Sequence, residues 1–285
     1  MRRFSTAGLI WALAIVLPAV SLLSMTVGTV SISVGDLFAA DNNQTQTILF
    51  DIRLPRILLA ICVGAVLSST GAVMQGLFRN PLADPSLIGV SSGASVGASL
   101  MIVAAGGFIH SGALLGLSLV AVGAFVGGFV ATLVVYRLAT SGIGTSVTTM
   151  LLAGIAIAAI AGALNSLLSY FSDNDMLRQI SLWQMGNLSG ASWTKVTIMA
   201  FVALLLMSLF PRDSRALNAL LLGESEARHL GVDVQAVKRR LIILTALGVG
   251  VCVALAGLVG FVGLIIPHIV RLAIGPDHRW LIPAS

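Results

Sequence analysis

Eight apolar runs, at about residues 7–30, 55–76, 86–105, 113–136, 149–171, 195–210, 241–259 and 261–274, occupy most of this chain and leave it few ways to fold. About 20 apolar residues, rising 1.5 Å per residue as helix, cross the roughly 30 Å hydrocarbon core of a bilayer. Only 9% of the residues are charged, against roughly 25% in a soluble domain. That is too little charge to cover a water-facing surface, so lipid is the solvent. The fold expected is an all-α, polytopic transmembrane helical bundle of about eight helices, forming one domain over 1–285. Met1-Arg2-Arg3 ahead of the first run resembles the start of a signal peptide. The run is long enough to span, however, and no compact small-residue cleavage site follows it, so an uncleaved first helix is expected. Cys62 and Cys252 lie inside apolar runs and suggest neither a disulfide framework nor a metal cluster.

Orientation follows from lysine and arginine, which collect on the cytoplasmic side of membranes. With the N-terminus in the cytoplasm, twelve of them fall on that side: Arg2, Arg3, Arg79, Arg137, Arg212, Arg215, Arg228, Lys238, Arg239, Arg240, Arg271 and Arg279. Four, Arg53, Arg56, Arg178 and Lys195, fall on the other, while the acidic residues split six against five. The basic balance is thus a membrane-topology signal, and nucleic-acid binding is set aside.

Several runs are shorter than a full span, which points to broken helices lining a pathway. The clearest break is at 79–85 (RNPLADP), where two prolines forbid continuous helix. The third helix is expected to open at Ser86 and to carry Gly89, Gly93 and Gly97 on one face, a stripe against which another helix can lie backbone to backbone. Residues 71–89 echo residues 257–275, each reading as a helix end, a proline-bearing break and a new short helix. Such repeats are common in transporters. Residues 280–285 read as the start of a ninth span, too short to cross and expected at the cytoplasmic surface, with two further helices belonging beyond them.

No enzyme constellation is present: no Walker-type glycine loop, no HExxH, no GxSxG. His110, His229, His268 and His278 are scattered, and a lone histidine near an interface usually anchors; His110 is the one considered for substrate contact. The runs hold no acidic residue of the kind that marks ion-coupled carriers, and Asn165 with serines and threonines supplies their polar content. A proton- or sodium-coupled carrier is therefore disfavoured, and energy must come from outside the chain. The polar stretch at about 212–240 contains, at 221–232, a sequence that reads as a short amphipathic helix bounded by glycines. It is either a solvated loop or a docking helix for a cytoplasmic motor, and a non-transporting receptor or scaffold would need no such helix.

Four ordered motifs narrow the choice: IRLPR at 52–56, GAVMQGLFRNPLADP at 71–85 with GVSSGAS at 89–95, LGESEARHLG at 222–231, and GFVGLIIPHIVR at 260–271. Together they resemble the permeases of iron-siderophore, haem and vitamin B12 ABC importers, across essentially the whole chain. The resemblance implies ten helices per subunit, where this chain ends as the ninth would begin. It also implies a homodimer in the bacterial inner membrane, two cytoplasmic ATP-binding subunits and a periplasmic substrate-binding protein. ATP and magnesium would sit on the partner subunits, with no cofactor or metal held by this chain. By the same resemblance, Leu222, Gly223, Glu224, Ala227, Arg228, Leu230 and Gly231 form the ATPase-coupling segment. Arg53 and Arg56 dock the binding protein, as a carboxylate fork one helical turn apart, although interfacial anchoring explains them equally. Asn80, Leu82, Ser146, Val147 and Thr148 form the cytoplasmic gate. The outer stretches 173–178 and 183–193 resemble the haem branch; ferric siderophore and then vitamin B12 are the alternatives.

Overall fold

The computed structural model describes residues 5–28, 30, 43–104, 113–142 and 144–285, and His110 lies outside them. Most of the described residues are helical. The eight runs become α1 (Thr6–Thr26), α2 (Leu54–Leu77), α3 (Val90–Ala104), α4 (Ala113–Ala139), α5 (Val147–Tyr170), α7 (Trp193–Leu209), α10 (Val234–Ala256) and α11 (Val262–Ile274). Shorter helices join them, among them α6 (Asn174–Gln184), α8 (Ser214–Leu221), α9 (Glu224–His229) and α12 (His278–Ala284). A two-rung hairpin pairs β1 (Thr140–Ser141) with β2 (Gly144–Thr145). Six of the described helical stretches are long and apolar enough to cross a membrane, while α3 and α11 are shorter.

The bundle is organised around α2. From Val66 to Leu77 every residue of it is buried, the all-round burial of a helix with no solvent face. Two of its hydroxyls turn back on their own helix: Thr70 Oγ1 donates to the Val66 carbonyl (2.7 Å) and Ser69 Oγ to the same group (3.2 Å). Around it pack α7, α10, α11 and α12, while α1 lies at the edge with no buried residue. A π-helical stretch, Thr47–Arg53, leads directly into α2.

The expected glycine stripe is real from Gly93 onward and meets a second stripe on α4. A Cβ at Gly97 would lie 2.0 Å from the Gly123 carbonyl oxygen, and one at Gly93 2.3 Å from that of Gly127. The two backbones therefore touch, as small residues permit between helices in lipid. Gly89 does not belong to the stripe. Pro85–Ile88 forms a 3-10 turn, Asp84 Oδ1 accepts from the Ser86 amide (2.8 Å), and Gly89 closes the turn at φ 84°. The helix thus opens at Val90 rather than Ser86, because proline and the aspartate side chain favour a local turn and glycine alone adopts its left-handed exit freely.

The internal echo is also corrected. In its second copy the break falls at 257–261 and contains no proline; Gly257 (φ 71°) and Phe261 (φ 66°) make it, and Pro267 lies inside α11. The two segments nevertheless meet: a Cβ at Gly71 would be 1.8 Å from the Gly263 carbonyl oxygen, and Gln75 Nε2 donates to the Leu264 carbonyl (3.1 Å). Residues 280–285, expected at the surface, are only partly there: Trp280 and Pro283 are exposed. Leu281, Ile282 and Ala284 of α12 are buried, and Ser68 Oγ in mid-α2 donates to the Ser285 carbonyl (2.7 Å).

The backbone contact between α3 and α4 makes a clear stability prediction. Gly97→Leu should destabilise the detergent-solubilised protein by about 1–3 kcal/mol or more, the cost of overpacking a filled contact. Gly162→Leu on α5, where a Cβ would meet nothing within 4 Å, should leave thermal unfolding unchanged in the same assay.

Candidate functional site

The polar stretch at 212–240 is not one loop. Phe210–Asp213 forms a 3-10 turn, then come α8 and α9, and Lys238, Arg239 and Arg240 already belong to α10. The helix expected over 221–232 is only Glu224–His229, since Leu221 ends α8 and Leu222 caps it. Gly223 (φ 122°) and Gly231 (φ 82°) stand at its two ends, supplying backbone that other residues adopt at a cost. Within α9 Ala227 alone is buried; Arg228 is exposed, and Leu222 and Leu230 present their side chains outward on either side of the helix. The result is a short polar helix flanked by two exposed leucines.

Glu224 is anchored from above. Its Oε1 accepts from Lys238 Nζ at 2.6 Å, and the same ammonium donates to the Thr145 carbonyl at 2.8 Å. Lys238 is 1% exposed. One helical turn earlier on α10, Gln235 Oε1 accepts from the Thr145 amide (2.9 Å). Both backbone groups of Thr145 are therefore held by α10. Arg240 holds Asp213, a buried carboxylate, through two nitrogens. Asn218 of α8 donates to Asp277 Oδ1 (2.7 Å) and accepts from the His278 amide (2.9 Å), tying α8 to the start of α12. The Arg279 guanidinium first, and the Asn218 amide after it, hold the Asp277 carboxyl well below the usual carboxylate range.

The expected gate residues begin one residue past Thr145. Ser146 closes the hairpin, its amide donating to the Ala139 carbonyl (2.9 Å), and its Oγ caps α5 by accepting from the Thr149 amide (3.3 Å). Val147 is half-buried and Thr148 exposed. Asn80 Oδ1 accepts from the Leu82 amide (2.9 Å) in a side-chain-closed turn that leaves Leu82 64% exposed. The turn following them abuts α5, where a Cβ at Gly154 would lie 1.9 Å from the Leu87 carbonyl oxygen. The two helix breaks share one cavity of about 400 Å³, lined by Leu67, Pro85, Ser86, Phe261 and Gly263 among others.

On the opposite side, Arg53 and Arg56 do not form a free fork. Arg53 donates to the carbonyls of Met25 and Val30, and Arg56 reaches the Ser189 carbonyl at 3.4 Å. Among the described residues no group of three or more histidine, cysteine or acidic side chains could hold a metal ion.

Residues 15–285 match the FecCD transport family. The chain belongs to that family. It is 43% identical over 274 residues to the hemin transport system permease protein HmuU of Yersinia pestis, covering 96% of this chain and 81% of that one. It is 40% identical over 284 residues to the vitamin B12 import system permease protein BtuC of Citrobacter koseri, covering 99% and 80% respectively. A solved metal-chelate type ABC transporter in an inward-facing conformation superposes with a TM-score of 0.83 at 34% identity, over 96% of this chain and 84% of that one. The chain is a multi-pass membrane permease of an ABC importer.

Sequence reasoning noted Asn165 but not its partners. From α5 its Nδ2 donates to Ser95 Oγ (3.0 Å) and its Oδ1 accepts from Ser99 Oγ (2.7 Å), so one amide bridges two serines a helical turn apart on α3. Polar glue of this kind contributes about 0.6 kcal/mol on average and up to about 1.7 in membranes. Asn165→Leu should therefore lower stability by roughly 0.5–1.5 kcal/mol in denaturant unfolding. Replacing Ser95 and Ser99 by alanine in that background should add little, because their shared partner is already gone.

Proposed function

We propose that this permease carries an iron chelate, haem or a ferric siderophore, from the periplasm to the cytoplasm across a bacterial inner membrane, with its N-terminus cytoplasmic. It works as a homodimer; two cytoplasmic partner subunits bind ATP and magnesium and hydrolyse the ATP, and a periplasmic protein delivers the cargo. The chain itself holds no cofactor and performs no chemistry. The observation that carries the reading is α9, a glycine-bounded polar helix with outward leucines at both ends, anchored through Glu224 to the segment that opens α5. In it, Leu222, Gly223, Glu224, Ala227, Arg228, Leu230 and Gly231 make the ATPase-docking surface, and Asn80, Leu82, Ser146, Val147 and Thr148 the gate. Among the described residues the eight helices α1–α5, α7, α10 and α11 carry no Asp or Glu, and the one acidic residue of the stretch leading into α2 is Asp51, near its start, which disfavours the mid-membrane relay of an ion-coupled carrier. Haem is favoured by the likeness to HmuU; vitamin B12 is the second reading, favoured by the likeness to BtuC.

Co-purification of ATP-hydrolysing subunits, followed by uptake into proteoliposomes of haem, a ferric siderophore or cyanocobalamin, tests the reading. Uptake of none of the three, or uptake without ATP hydrolysis, would overturn it. In the same vesicles Arg228→Glu should cut substrate-stimulated ATP hydrolysis at least about tenfold, equivalent to roughly 1.4 kcal/mol of coupling, with membrane insertion intact. Unchanged stimulation would remove α9 from the interface.

Arg53 and Arg56 dock the periplasmic protein as rim charges, acting through complementarity and screened by salt. The Arg53→Ala/Arg56→Ala variant should bind it more weakly at low ionic strength, and wild-type affinity should fall as salt rises. Equal affinities would leave Arg53 as a tether for Met25 and Val30 and Arg56 as one for Ser189.

A further inference from the structure

Three segments far apart in sequence converge on the Lys238 ammonium: the start of α10, the first residue of α9, and the end of the hairpin that opens α5. Lys238 Nζ donates to Glu224 Oε1 (2.6 Å) and to the Thr145 carbonyl (2.8 Å), and its side chain is 2% exposed. Thr145 is buried as well, with its amide held by Gln235. The backbone at Gly144 sits so close to this group that a Cβ there would lie 2.4 Å from Gln235 Nε2, and its φ of 127° suits glycine alone. The hairpin end therefore has one seat on α10. Ser146, which caps α5, is the next residue.

A lysine this deeply buried is stable only while its charge has a partner and its donors have acceptors. Displacing α9 without the hairpin would strip Lys238 of its counter-charge; displacing the hairpin without α9 would strip it of its carbonyl. We propose that Lys238 is the positioning residue that makes α9 and the start of α5 move as one body, transmitting motion of the ATPase subunits to the gate. The proposal rests on the docking and gate assignments above and adds the residue that joins them. A carboxylate–ammonium pair that also holds a carbonyl has one geometry, whereas an apolar contact could slide.

The test uses the permease with its ATP-hydrolysing subunits and, separately, the permease alone. Spin labels go on Gly142→Cys, where a Cβ would meet nothing within 4 Å, and on Ser225→Cys, which is exposed on α9, with Cys62 and Cys252 replaced by alanine. The permease alone should give a narrow 142–225 distance distribution, and Lys238→Met should broaden it. In the complex, the wild-type distance should be the same without nucleotide and with trapped ATP, while in Lys238→Met it should differ between the two states. Transport per ATP hydrolysed should fall at least about tenfold in that variant, with the ATPase subunits still co-purifying. The exchanged pair Glu224→Lys/Lys238→Glu should not restore transport, because a carboxylate at 238 cannot donate to the Thr145 carbonyl. An unbroadened distance, unchanged transport per ATP, or rescue by the exchanged pair would overturn the proposal. Loss of co-purification with an unchanged distance would also overturn it, placing Lys238 in the docking surface instead. The permease-alone distances decide the linkage even if α9 proves not to be the docking helix, so the two failures are distinguishable.

Discussion

The hydrocarbon core of a bilayer offers no partner to a peptide amide or carbonyl, so backbone may leave the helix at membrane depth only where protein supplies the missing bonds. The architecture follows from that constraint. At the first break Asn80 donates its amide to the Gln75 carbonyl (3.1 Å), Ala83 to Asn80 (3.1 Å) and Leu87 to Asp84 (3.1 Å). At the second, Gly257 donates to Val253 (2.9 Å) and Val262 to Gly260 (2.9 Å), while the Ala256 carbonyl accepts from the Asn187 amide (2.7 Å). Each break is closed by its own turns, and the second is also capped by Asn187 from a neighbouring segment. Both can therefore line one cavity beside α2 without stranding polar groups in lipid.

Satisfied breaks and touching backbones give the bundle stiff parts with defined seams. Along the α3–α4 contact, Gly93 and Gly97 meet Gly127 and Gly123 with no side chain between, so those helices have little room to slide. Along α3 itself the seam with α5 is held differently, by Asn165 with Ser95 and Ser99, while backbone meets α5 closely at the turn before α3, where Leu87 approaches Gly154. Hydrogen bonds worth about 1 kcal/mol can exchange partners at modest cost, whereas interlocked backbones must separate before they shift. A seam of the second kind is the better place for a helix that has to move.

Much of this was legible in the sequence, for identifiable reasons. Apolar runs register helices directly because the bilayer enforces helix wherever it is met; all eight runs fall on helices. Pro81 and Pro85 announced the first break because a missing amide is a local property. The second break is less legible: the proline in that stretch, Pro267, is tolerated inside α11, and the break is made by Gly257 and Phe261. Helices α6 and α8 escaped because short amphipathic segments look like polar loops when only apolar length is counted. Arg53 and Arg56 read as free cations because nothing local shows that carbonyls 23 or more residues earlier accept from Arg53.

The role of Lys238 has no local signature in the sequence. Three consecutive basic residues at the cytoplasmic end of an apolar run are what topology alone would produce, so Lys238, Arg239 and Arg240 look alike in sequence. In the fold they point along different radii of α10. Lys238 turns inward to Thr145 and Glu224, while Arg240, half-exposed, covers Asp213. Burying an ammonium is unfavourable unless it is paired, and removing one member of a buried pair costs on the order of 3–5 kcal/mol. Glu224 is 31% exposed, so that figure is an upper bound here. Replacing a buried ion pair by well-packed apolar residues is often neutral or stabilising, but a leucine at 238 would also leave the carbonyl of buried Thr145 without its donor. A polar contact differs from an apolar one in having a single register: the ammonium either meets both oxygens or strands a charge. Where α9, the hairpin and α10 must keep one relative position while the surrounding bundle shifts, that all-or-none character is what an ion pair supplies and a hydrophobic contact does not.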